Sequence, residues 1–297
     1  MMRIISWNIQ WGRGADGRLD LLRTIEALEA LGPAEVICLQ EVARGCPSLS
    51  GSPADEVATL SAAFPQHETV FAAAVDVPGE AGDRGQFGNL LLSSLPILQV
   101  SRHALPFPAD PTVPGMPRCC LEVVLDSPLG PLRVLTTHLE YYSVRQRQAQ
   151  IAALQALQLE AAGHSGRTPR TMDGNPVFAP RPRPEQAVLC GDFNLEPSSE
   201  DYASMSAAGS PWRDAWRVVH DDVPHRPTVG LHGAAWPDRE YCCDYFWVSG
   251  PLVACVVDVR VDSATAASDH QPIVLDLARG SQAMDGCDGS SGSIRSR

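Results

Sequence analysis

The chain has 297 residues, of which 44% are hydrophobic, enough to bury a large core. Its formal net charge of -12 argues against a broad basic surface that holds nucleic acid through many phosphates, although a local basic patch remains compatible with it. No apolar run reaches the roughly 18 residues that cross a membrane, and no signal-type segment precedes the first apolar run, so we expect a cytoplasmic monomer without a membrane span.

Short apolar segments rich in Val, Ile and Leu recur along the chain and predict β-strands. In chain order these predicted strands are 3–9, 36–41, 88–93, 119–125, 132–138, 187–192, 244–248, 253–261 and 273–277. Apolar residues at helical spacing predict one helix from Leu21 to Leu31 and a second from Ile151 to Ala161. Many strands with few interspersed helices are typical of an α/β sandwich, in which two sheets pack face to face and helices cover the outsides.

Proline and glycine mark the segments without regular structure. The proline-rich segments 103–118 and 163–186 are predicted to be long loops. The Gly- and Ser-rich end of the chain is predicted to be disordered. No shift in composition divides the rest, so we predict one domain over residues 1–279 and a disordered tail over 280–297.

The cysteines are predicted to be reduced and structural. Their number, nine, is odd, and Cys38, Cys120 and Cys190 lie in apolar runs where a thiol packs as a small hydrophobic group. Cys242 and Cys243 are adjacent and lack the two-residue gap of a zinc knuckle, which argues against a metal role for them.

Polar residues interrupt or border seven of the apolar segments. In VLCGDFN, Asp192 and Asn194 follow a buried strand and emerge on the same side of it, although a simple turn explains GDFN alone equally well. The other polar residues in equivalent places are Asn8, Glu41, Asn89, His138, Asp244, Asp269 and His270. Because buried polar groups need partners, coincidence across seven segments is improbable, and we predict that these residues share one pocket.

The motifs SWNI, LQE, TTHLE, GDFN, DYFWVS and SDHQPI occur in this order between Ser6 and Ile273. Together they resemble the endonuclease/exonuclease/phosphatase superfamily of metal-dependent phosphoesterases, and DYFWVS with its flanks resembles uncharacterised bacterial members most. The resemblance implies a four-layered α/β sandwich of two mixed, mostly antiparallel sheets flanked by helices. It also implies an active site at one end of the sheets.

The predicted cofactor is Mg²⁺, with Mn²⁺ as a substitute. Mg²⁺ keeps several waters and takes one or two carboxylates together with phosphate oxygens of the substrate. Glu41 at a strand end is therefore the predicted principal ligand, with Asn8 and Asp269 beside it. Phosphoester hydrolysis then requires a water in line with the leaving group and stabilisation of the phosphoryl charge.

The resemblance implies roles for the remaining site residues. Asp192 and Asn194 would orient or deprotonate the attacking water. His270 would lie against the phosphate with Asp244 on its other ring nitrogen, and His138 would supply a second contact, with the choice of acid left open. The predicted substrate-binding residues are Asn8, Asn89, Arg118 and Arg145, with His225 and Thr228 of HRPTVG as secondary candidates.

The predicted function is hydrolysis of a phosphate-ester substrate by a phosphodiesterase or phosphatase. TTHLEYYS departs from the abasic-site repair nucleases, and the chain lacks the signal peptide and aromatic hairpin of secreted sphingomyelinases. A Mg²⁺-dependent nuclease that acts on DNA or RNA is the main alternative, so nucleic acid remains a candidate partner. The second alternative is a catalytically inactive binding module on the same fold. Such a module is expected to lack a key residue such as Glu41 or His270, and both are present.

Segment 163–186 is predicted to rim the pocket, because it joins the helix after TTHLE to the strand that ends in GDFN. Its arginines are Arg167, Arg170, Arg181 and Arg183. Since guanidinium groups bind phosphate with two hydrogen bonds, the segment is a candidate contact for an anionic part of the substrate. A mobile, solvated loop explains the same composition equally well.

Overall fold

A computed structural model describes residues 1–50, 55–79, 83–167, 170, 172 and 174–279. In chain order, its strands are β1 (Met2–Asn8), β2 (Val36–Arg44), β3 (Glu68–Pro78), β4 (Arg84–Ser93), β5 (Ile97–Ala104), β6 (Cys119–Ser127), β7 (Gly130–His138), β8 (Ala187–Asp192), β9 (Trp212–Asp214), β10 (Asp244–Ser249), β11 (Val256–Val261) and β12 (Ile273–Leu277). The α-helices are α1 (Leu21–Ala30), α2 (Pro47–Ser50), α3 (Glu56–Ala63), α4 (Val144–His164), α5 (Glu200–Ser206) and α6 (Ala215–His220). Short 3₁₀-helices cover Gln10–Gly12, Pro176–Phe178 and Gly250–Cys255.

The strands form two six-stranded sheets. One sheet has the order β11-β12-β1-β2-β4-β3, and the other has the order β5-β6-β7-β8-β10-β9. Among the described strands, the parallel neighbours are β1 with β2 and β7 with β8, and the other neighbours are antiparallel. The prediction of two mixed, mostly antiparallel sheets is therefore confirmed.

The two sheets bury a common core between them. Ile4 of β1 and Leu91 of β4 pack in one apolar cluster with Val134 of β7 and Cys190 of β8. Alternation along the strands explains the arrangement, since every second side chain points to the opposite face. Leu189, one residue before Cys190, accordingly belongs to a different cluster on the outer face of its sheet.

Helices cover the outer faces and complete the four layers. Leu28 of α1 packs in a cluster with Leu39 of β2, and Leu154 of α4 packs with Leu189 of β8. Leu28 and Leu154 are 1% and 0% exposed, and burying one leucine side chain stabilises the fold by roughly 2 kcal/mol. Among the described residues, no helix combines the length and the apolarity needed to cross a membrane.

The predicted elements differ from the observed ones mainly where the chain is least apolar. The strand predicted over 253–261 begins only at Val256, because Pro251 lies in the 3₁₀-helix Gly250–Cys255. The strands β3, β5 and β9 and the helices α2, α3, α5 and α6 were not predicted from the sequence. The loop predicted over 103–118 starts inside β5, and only 105–118 lacks regular structure. The predicted disordered tail, 280–297, lies outside the described residues.

The parallel pairs decide where the functional side chains meet. Parallel strands carry their carboxyl ends to the same edge, and β7 and β8 end in register at His138 and Asp192. The antiparallel β10 begins opposite Asp192 with Asp244. In the other sheet β1 ends at Asn8, beside the start of the antiparallel β12. One end of the sandwich therefore collects the polar residues that interrupt the strands.

Candidate active site

A cleft of about 450 Å³ opens at this end of the two sheets. That volume lies within the range of small-molecule sites in proteins. Five of the predicted site residues line it together: Glu41, Arg118, His138, Asp192 and Asn194. Asp269 and His270 line it as well, so residues from both sheets share one pocket, as the sequence pattern predicts.

Backbone strain is concentrated around this cleft. Six non-glycine residues of the described chain have positive φ, and four of them line the cleft. These are Gln10 (44°), Trp11 (43°), Glu41 (59°) and Asn194 (50°). A non-glycine residue in this region costs of order 1–3 kcal/mol and tends to occur at functional sites, where the surrounding structure holds it in place. The strain supports the assignment of the cleft as the active site.

Glu41 projects from a bulge in β2. The pairing of β2 with β4 shifts register between Leu39 and Val42, so Glu41 leaves the regular ladder. On the far side of the bulge, the buried carboxylate of Glu56 accepts a 2.7 Å hydrogen bond from the Ala43 amide. Burial raises the pKa of Glu41 to about 7, with a further contribution from Asp269. A glutamate in this environment is stabilised by added positive charge.

Asn8 lies between two of the carboxylates. Its amide nitrogen is 3.0 Å from Glu41 Oε1 and 3.0 Å from Asp192 Oδ2. Its amide oxygen accepts the Gln10 backbone N–H at 3.1 Å. Asn8 thus links Glu41 of one sheet to Asp192 of the other. It lies where the sequence predicts, and it donates a hydrogen bond to each carboxylate.

Asp192 contacts each of the groups predicted to act on a phosphate. Its Oδ2 lies 3.4 Å from His138 Nε2 and 3.6 Å from His270 Nε2. Its Oδ1 accepts the Asn194 backbone N–H at 2.9 Å, which fixes the carboxylate plane. Burial raises the pKa of Asp192 to about 6, against the opposing effect of His270. Asp192 is therefore much more basic than an exposed aspartate.

Gly191, which precedes Asp192, is required because β7 and β8 lie very close together at this point. Gly191 has φ of 136°, and a Cβ placed there would lie 1.9 Å from the Thr137 carbonyl oxygen in β7. No side chain fits at that separation. Gly191 thus lets β7 and β8 come close enough to set His138 beside Asp192.

His138 is held as a neutral imidazole. Asn194 Nδ2 is 3.1 Å from His138 Nε2 and 2.9 Å from the Leu139 carbonyl oxygen. Burial lowers the pKa of His138 well below its ordinary value, and the nearby Arg118 and His270 lower it further. At neutral pH, His138 can therefore exchange hydrogen bonds without carrying charge.

His270 is held in the charged form. Its Nδ1 is 3.0 Å from Asp244 Oδ2, as the sequence predicts for this pair. Burial alone would lower the pKa of His270, but Asp244 and Asp192 outweigh it and raise the pKa well above its ordinary value. Thr228, a secondary candidate, accepts the backbone N–H groups of Cys243 and Asp244 and so positions the pair.

Two residues missed by the sequence analysis fix Asp269. Gln10 Nε2 donates to Asp269 Oδ2 at 2.7 Å, and the Ser268 hydroxyl contacts Asp269 Oδ1 at 3.2 Å. The Ser268 hydroxyl also lies 2.8 Å from the Asn8 carbonyl oxygen, which joins the end of β1 to the start of β12. Gln10 directly follows the motif SWNI and Ser268 is the first residue of SDHQPI, and these positions were the available signal.

The residues present fit a hard divalent cation. Burial raises the pKa of Asp269 as it does those of Glu41 and Asp192, so three closely placed carboxylates share an environment that favours added positive charge. Oxygen ligands of this type suit Mg²⁺. Asp192, Cys243 and His270 also place ligand atoms within 4.8 Å of one another. That second group fits poorly, because the raised pKa values keep the Cys243 thiol and the His270 ring protonated.

Arg118 offers a buried cation to an anionic substrate. Its side chain is 7% exposed, and its Nε is 3.3 Å from Glu140 Oε2. Its Nη1 has no hydrogen-bond partner among the described residues, although it is buried. Because a buried guanidinium N–H without a partner costs stability, Arg118 is prepared for an acceptor such as a phosphate oxygen.

Three predicted substrate-binding residues do not line the cleft: Asn8, which is fully buried behind Glu41 and Asp192, Asn89 and Arg145. Asn89 is 2% exposed, and its amide donates to the Cys119 carbonyl oxygen at 3.0 Å, which makes it a link between the sheets. Arg145 is exposed in the first turn of α4 and donates to the Ala109 carbonyl oxygen. The secondary candidate His225 is paired with Asp214 at 2.7 Å and also lies outside the cleft lining.

For the described residues of segment 163–186, the prediction that they rim the pocket is wrong; residues 168, 169, 171 and 173 lie outside the described residues. The segment leads into Ala187, the first residue of β8, whereas Asp192 is the last. Five residues of strand separate these ends by roughly 17 Å. The described part of the segment instead borders Leu129, Pro131 and Pro251 at the opposite end of the sheet. A segment that precedes a strand joins the amino end of that strand, so chain order itself places segment 163–186 away from Asp192.

Comparisons with known proteins agree with this geometry. The model of the Endonuclease/Exonuclease/phosphatase family matches residues 5–270. No curated protein matches the chain. Among solved structures, an endonuclease/exonuclease/phosphatase from Beutenbergia cavernae DSM 12333 is 26% identical with a TM-score of 0.69, over 94% of this chain and 72% of that one.

Two further structures share the fold at lower identity. A 3' phosphatase, NExo from Neisseria, bound to a product DNA hairpin, is 19% identical with a TM-score of 0.59, over 94% of this chain and 100% of that one. A mannosyl-6-phosphatase from Bacteroides thetaiotaomicron VPI-5482 is 14% identical with a TM-score of 0.60, over the same shares. Since the family model spans most of its length and its strand ends build one acidic, histidine-containing cleft, the chain belongs to the endonuclease/exonuclease/phosphatase family, whose members are generally hydrolytic phosphoesterases that depend on a divalent metal.

Proposed function

We propose that the protein is a divalent-metal-dependent hydrolase of phosphate esters, acting as a phosphodiesterase or phosphatase. The observation that carries the proposal is Asp192, a buried carboxylate within 3.6 Å of both His138 and His270 in a cleft that also holds Glu41 and Asp269. A base beside a charged histidine and two further acids suits water attack on a phosphorus atom. Mg²⁺ is the proposed cofactor, with Mn²⁺ as a substitute.

In the proposed reaction, Asp192 accepts a proton from the attacking water while Asn194 holds the carboxylate in place. A Mg²⁺ ion bound by Glu41 and Asp269 would supply Lewis-acid stabilisation of the phosphoryl charge. The bond from the water oxygen to phosphorus forms as the bond from phosphorus to the ester oxygen breaks, and one proton ends on the released alcohol. A pKa of about 6 suits Asp192 to this task near neutral pH.

The charged histidine and the buried arginine are proposed to bind the phosphoryl oxygens. His270 keeps its proton because Asp244 holds the other ring nitrogen, so it can donate a hydrogen bond throughout the reaction. Arg118 lines the same cleft and carries a buried N–H group that has no hydrogen-bond partner among the described residues. Fixed donors aimed at developing charge commonly contribute about 10² or more to the rate.

Nuclease action on DNA or RNA is the second candidate function. It is favoured by one comparison, since the Neisseria phosphatase with this fold is bound to a DNA hairpin. It is disfavoured by the net charge of -12 and by the position of the arginine-rich segment at the far end of the sheet.

A hydrolysis screen tests the proposal. Purified protein is assayed with Mg²⁺ or Mn²⁺ against bis(4-nitrophenyl) phosphate, small phosphomonoesters, single- and double-stranded DNA, and RNA. We expect turnover of at least one small phosphate ester, abolished by Asp192→Asn and retained by Asp126→Asn, whose exposed carboxylate lies at the other end of β6. Turnover of nucleic acid alone supports the nuclease alternative, and inactivity on every substrate supports the inactive binding module.

A further inference from the structure

The exposed tyrosine and tryptophan side chains of this protein gather at the active-site cleft. The chain has 5 tyrosines and 6 tryptophans, all within the described residues. The most exposed of them are Tyr142 (57%), Trp236 (42%) and Tyr141 (38%), and all three line the cleft. Exposure of large aromatic side chains to water is unfavourable, so their concentration at one opening indicates a surface that binds a ligand.

These rings form a packed group, which we call the tyrosine wall: Tyr141, Tyr142 and Trp236. The ring centroids of Tyr141 and Trp236 are 5.1 Å apart with perpendicular planes, and those of Tyr141 and Tyr142 are 4.9 Å apart. Mutual contact holds exposed rings in one place, so little further ordering is needed when a flat group binds against them.

A second group of rings lines the same cleft. Trp11 and Phe87 have centroids 6.1 Å apart, and Met116 lies beside them. Trp11 occupies the left-handed turn that follows β1, with φ of 43°. Trp11 thus reaches the cleft from a backbone conformation that the surrounding structure must hold in place.

A single buried acid connects the tyrosine wall to the phosphate-binding cation. Glu140, 0% exposed, accepts the Arg118 Nε–H with one carboxylate oxygen and the Tyr142 backbone N–H with the other. The distance between the unpartnered guanidinium N–H and the rings is therefore set by one side chain. This arrangement suits a ligand with an anionic group and a flat group a short distance apart.

We propose that the substrate is a nucleotide-sized phosphate ester whose nucleobase stacks on the tyrosine wall while Arg118 and His270 hold its phosphate. The inference rests on the proposed function and names its substrate class. A base offers a planar π-face to the rings, which neither a bare sugar phosphate nor an acyl chain does. A cleft of about 450 Å³ in a protein of net charge -12 fits one nucleotide with few phosphates better than a long strand.

Matched substrates that differ only in the base test the inference. Adenosine 5'-monophosphate is compared with ribose 5-phosphate, and adenosine 5'-(methyl phosphate) with the corresponding methyl riboside 5-(methyl phosphate), all with Mg²⁺. We expect kcat/KM at least about ten-fold higher for the base-bearing member of the cleaved pair. Equal rates within the pairs, or turnover of bis(4-nitrophenyl) phosphate with neither pair cleaved, overturn the inference and leave the proposed function standing. Inactivity on every ester contradicts the proposed function itself.

Variants show whether the tyrosine wall recognises the base. Tyr141→Leu and Trp236→Leu should each reduce the preference for the base-bearing substrate by about ten-fold while sparing the baseless one. Tyr141→Phe keeps the ring and should keep the preference. Phe178→Leu removes an aromatic ring that is 53% exposed at the opposite end of the sheet, and it should change neither rate. Equal losses on both substrates at unchanged Tm assign these rings to general positioning and overturn the inference.

Discussion

At the scale of single residues, the site separates two histidines by their charge. His138 and His270 both lie near Asp192, yet the pKa of the first is lowered and that of the second is raised. Burial lowers the pKa of both rings, but Asp244 and Asp192 outweigh it at His270, whereas Arg118 and His270 add to it at His138. One neutral and one charged imidazole can thus serve different steps at the same pH.

The pairing of His270 with Asp244 predicts non-additive losses of activity. His270→Ala should lower kcat/KM by about 10² or more, since it removes a charged donor to the phosphate. Asp244→Asn added to His270→Ala should cost little more, because Asp244 acts through the ring that is already absent. The double-mutant cycle measures this with any cleaved substrate, and fully additive losses would show that Asp244 has a separate role.

Replacing Gly191 is predicted to destabilise the protein, because the neighbouring backbone of β7 cannot relieve the clash. In Gly191→Ala, the new Cβ meets the Thr137 carbonyl oxygen at 1.9 Å, and the residue keeps a backbone conformation that side chains rarely adopt. We expect the free energy of unfolding to fall by at least about 3 kcal/mol, measured by urea denaturation. Gly209→Ala is the matched control, because its Cβ would have no neighbour within 4 Å. Equal stabilities of the two variants would refute the close approach of β7 and β8.

At the scale of elements, the bulge in β2 depends on α3. Glu56, the first residue of α3, is 1% exposed and accepts the Ala43 N–H two residues after Glu41. Helix α3 was not predicted from the sequence, and nothing in the motif LQE indicates a bulge. The strand itself was predicted because its apolar run is continuous. The departure that aims Glu41 at the cleft depends on a contact between residues 13 apart.

Removal of the Glu56 carboxylate should loosen Glu41. Glu56→Ala leaves the Ala43 amide without its partner, so we expect weaker Mg²⁺ binding and a kcat reduced by about ten-fold. Glu56→Gln retains a side-chain oxygen that can accept the same N–H and should recover most of both. The metal affinity is measured directly by calorimetry. A Glu56→Ala protein with lower Tm but unchanged Mg²⁺ affinity would limit Glu56 to a structural role.

The contact between β6 and β7 predicts a pH dependence of stability. Glu122 pairs with the fully buried Arg133 at 2.8 Å and with His103 at 2.9 Å. Burial opposes ionisation of Glu122, but these partners outweigh it and lower its pKa to about 2 from an ordinary value of 4.5. The resulting stability is fully present above the unfolded pKa and is lost as the pH falls from about 4.5 towards 2.

Glu122→Gln should therefore destabilise the protein more at pH 6 than at pH 3. The lowering of the Glu122 pKa from 4.5 to about 2 is worth about 3 kcal/mol in the free energy of unfolding at pH 6, of which about 2 kcal/mol is lost by pH 3. Urea denaturation of both proteins across this pH range measures it. A variant that differs from the wild type by the same amount at both pH values would show that the charge of Glu122 contributes nothing.

At the scale of the whole molecule, the sequence predicted the sandwich and the set of polar strand ends but not their arrangement in space. Long apolar strands and motifs in a fixed order can be recognised whatever loops connect them. This explains why the family and the cleft residues Glu41, Asp192 and His270 were predicted. The edge strand β5 and the short β9 have weak patterns, since edge and short strands need few buried residues. Asn89 and Arg145 do not line the cleft, because Asn89 bonds a carbonyl oxygen between the sheets and Arg145 bonds the loop before β6, and neither contact is visible in the sequence.

The central claim is that this end of the sandwich hydrolyses phosphate esters with a divalent metal held by Glu41. The most direct measurement is the rate of hydrolysis of the best small ester from the screen, after EDTA treatment and during titration with Mg²⁺. We expect no turnover in EDTA, recovery with saturating Mg²⁺, and a rate at least about 10² lower in Glu41→Gln, whose side chain has the same shape but no charge. Full turnover in EDTA, or a Glu41→Gln protein as active as the wild type, would show that the metal held by Glu41 is not needed.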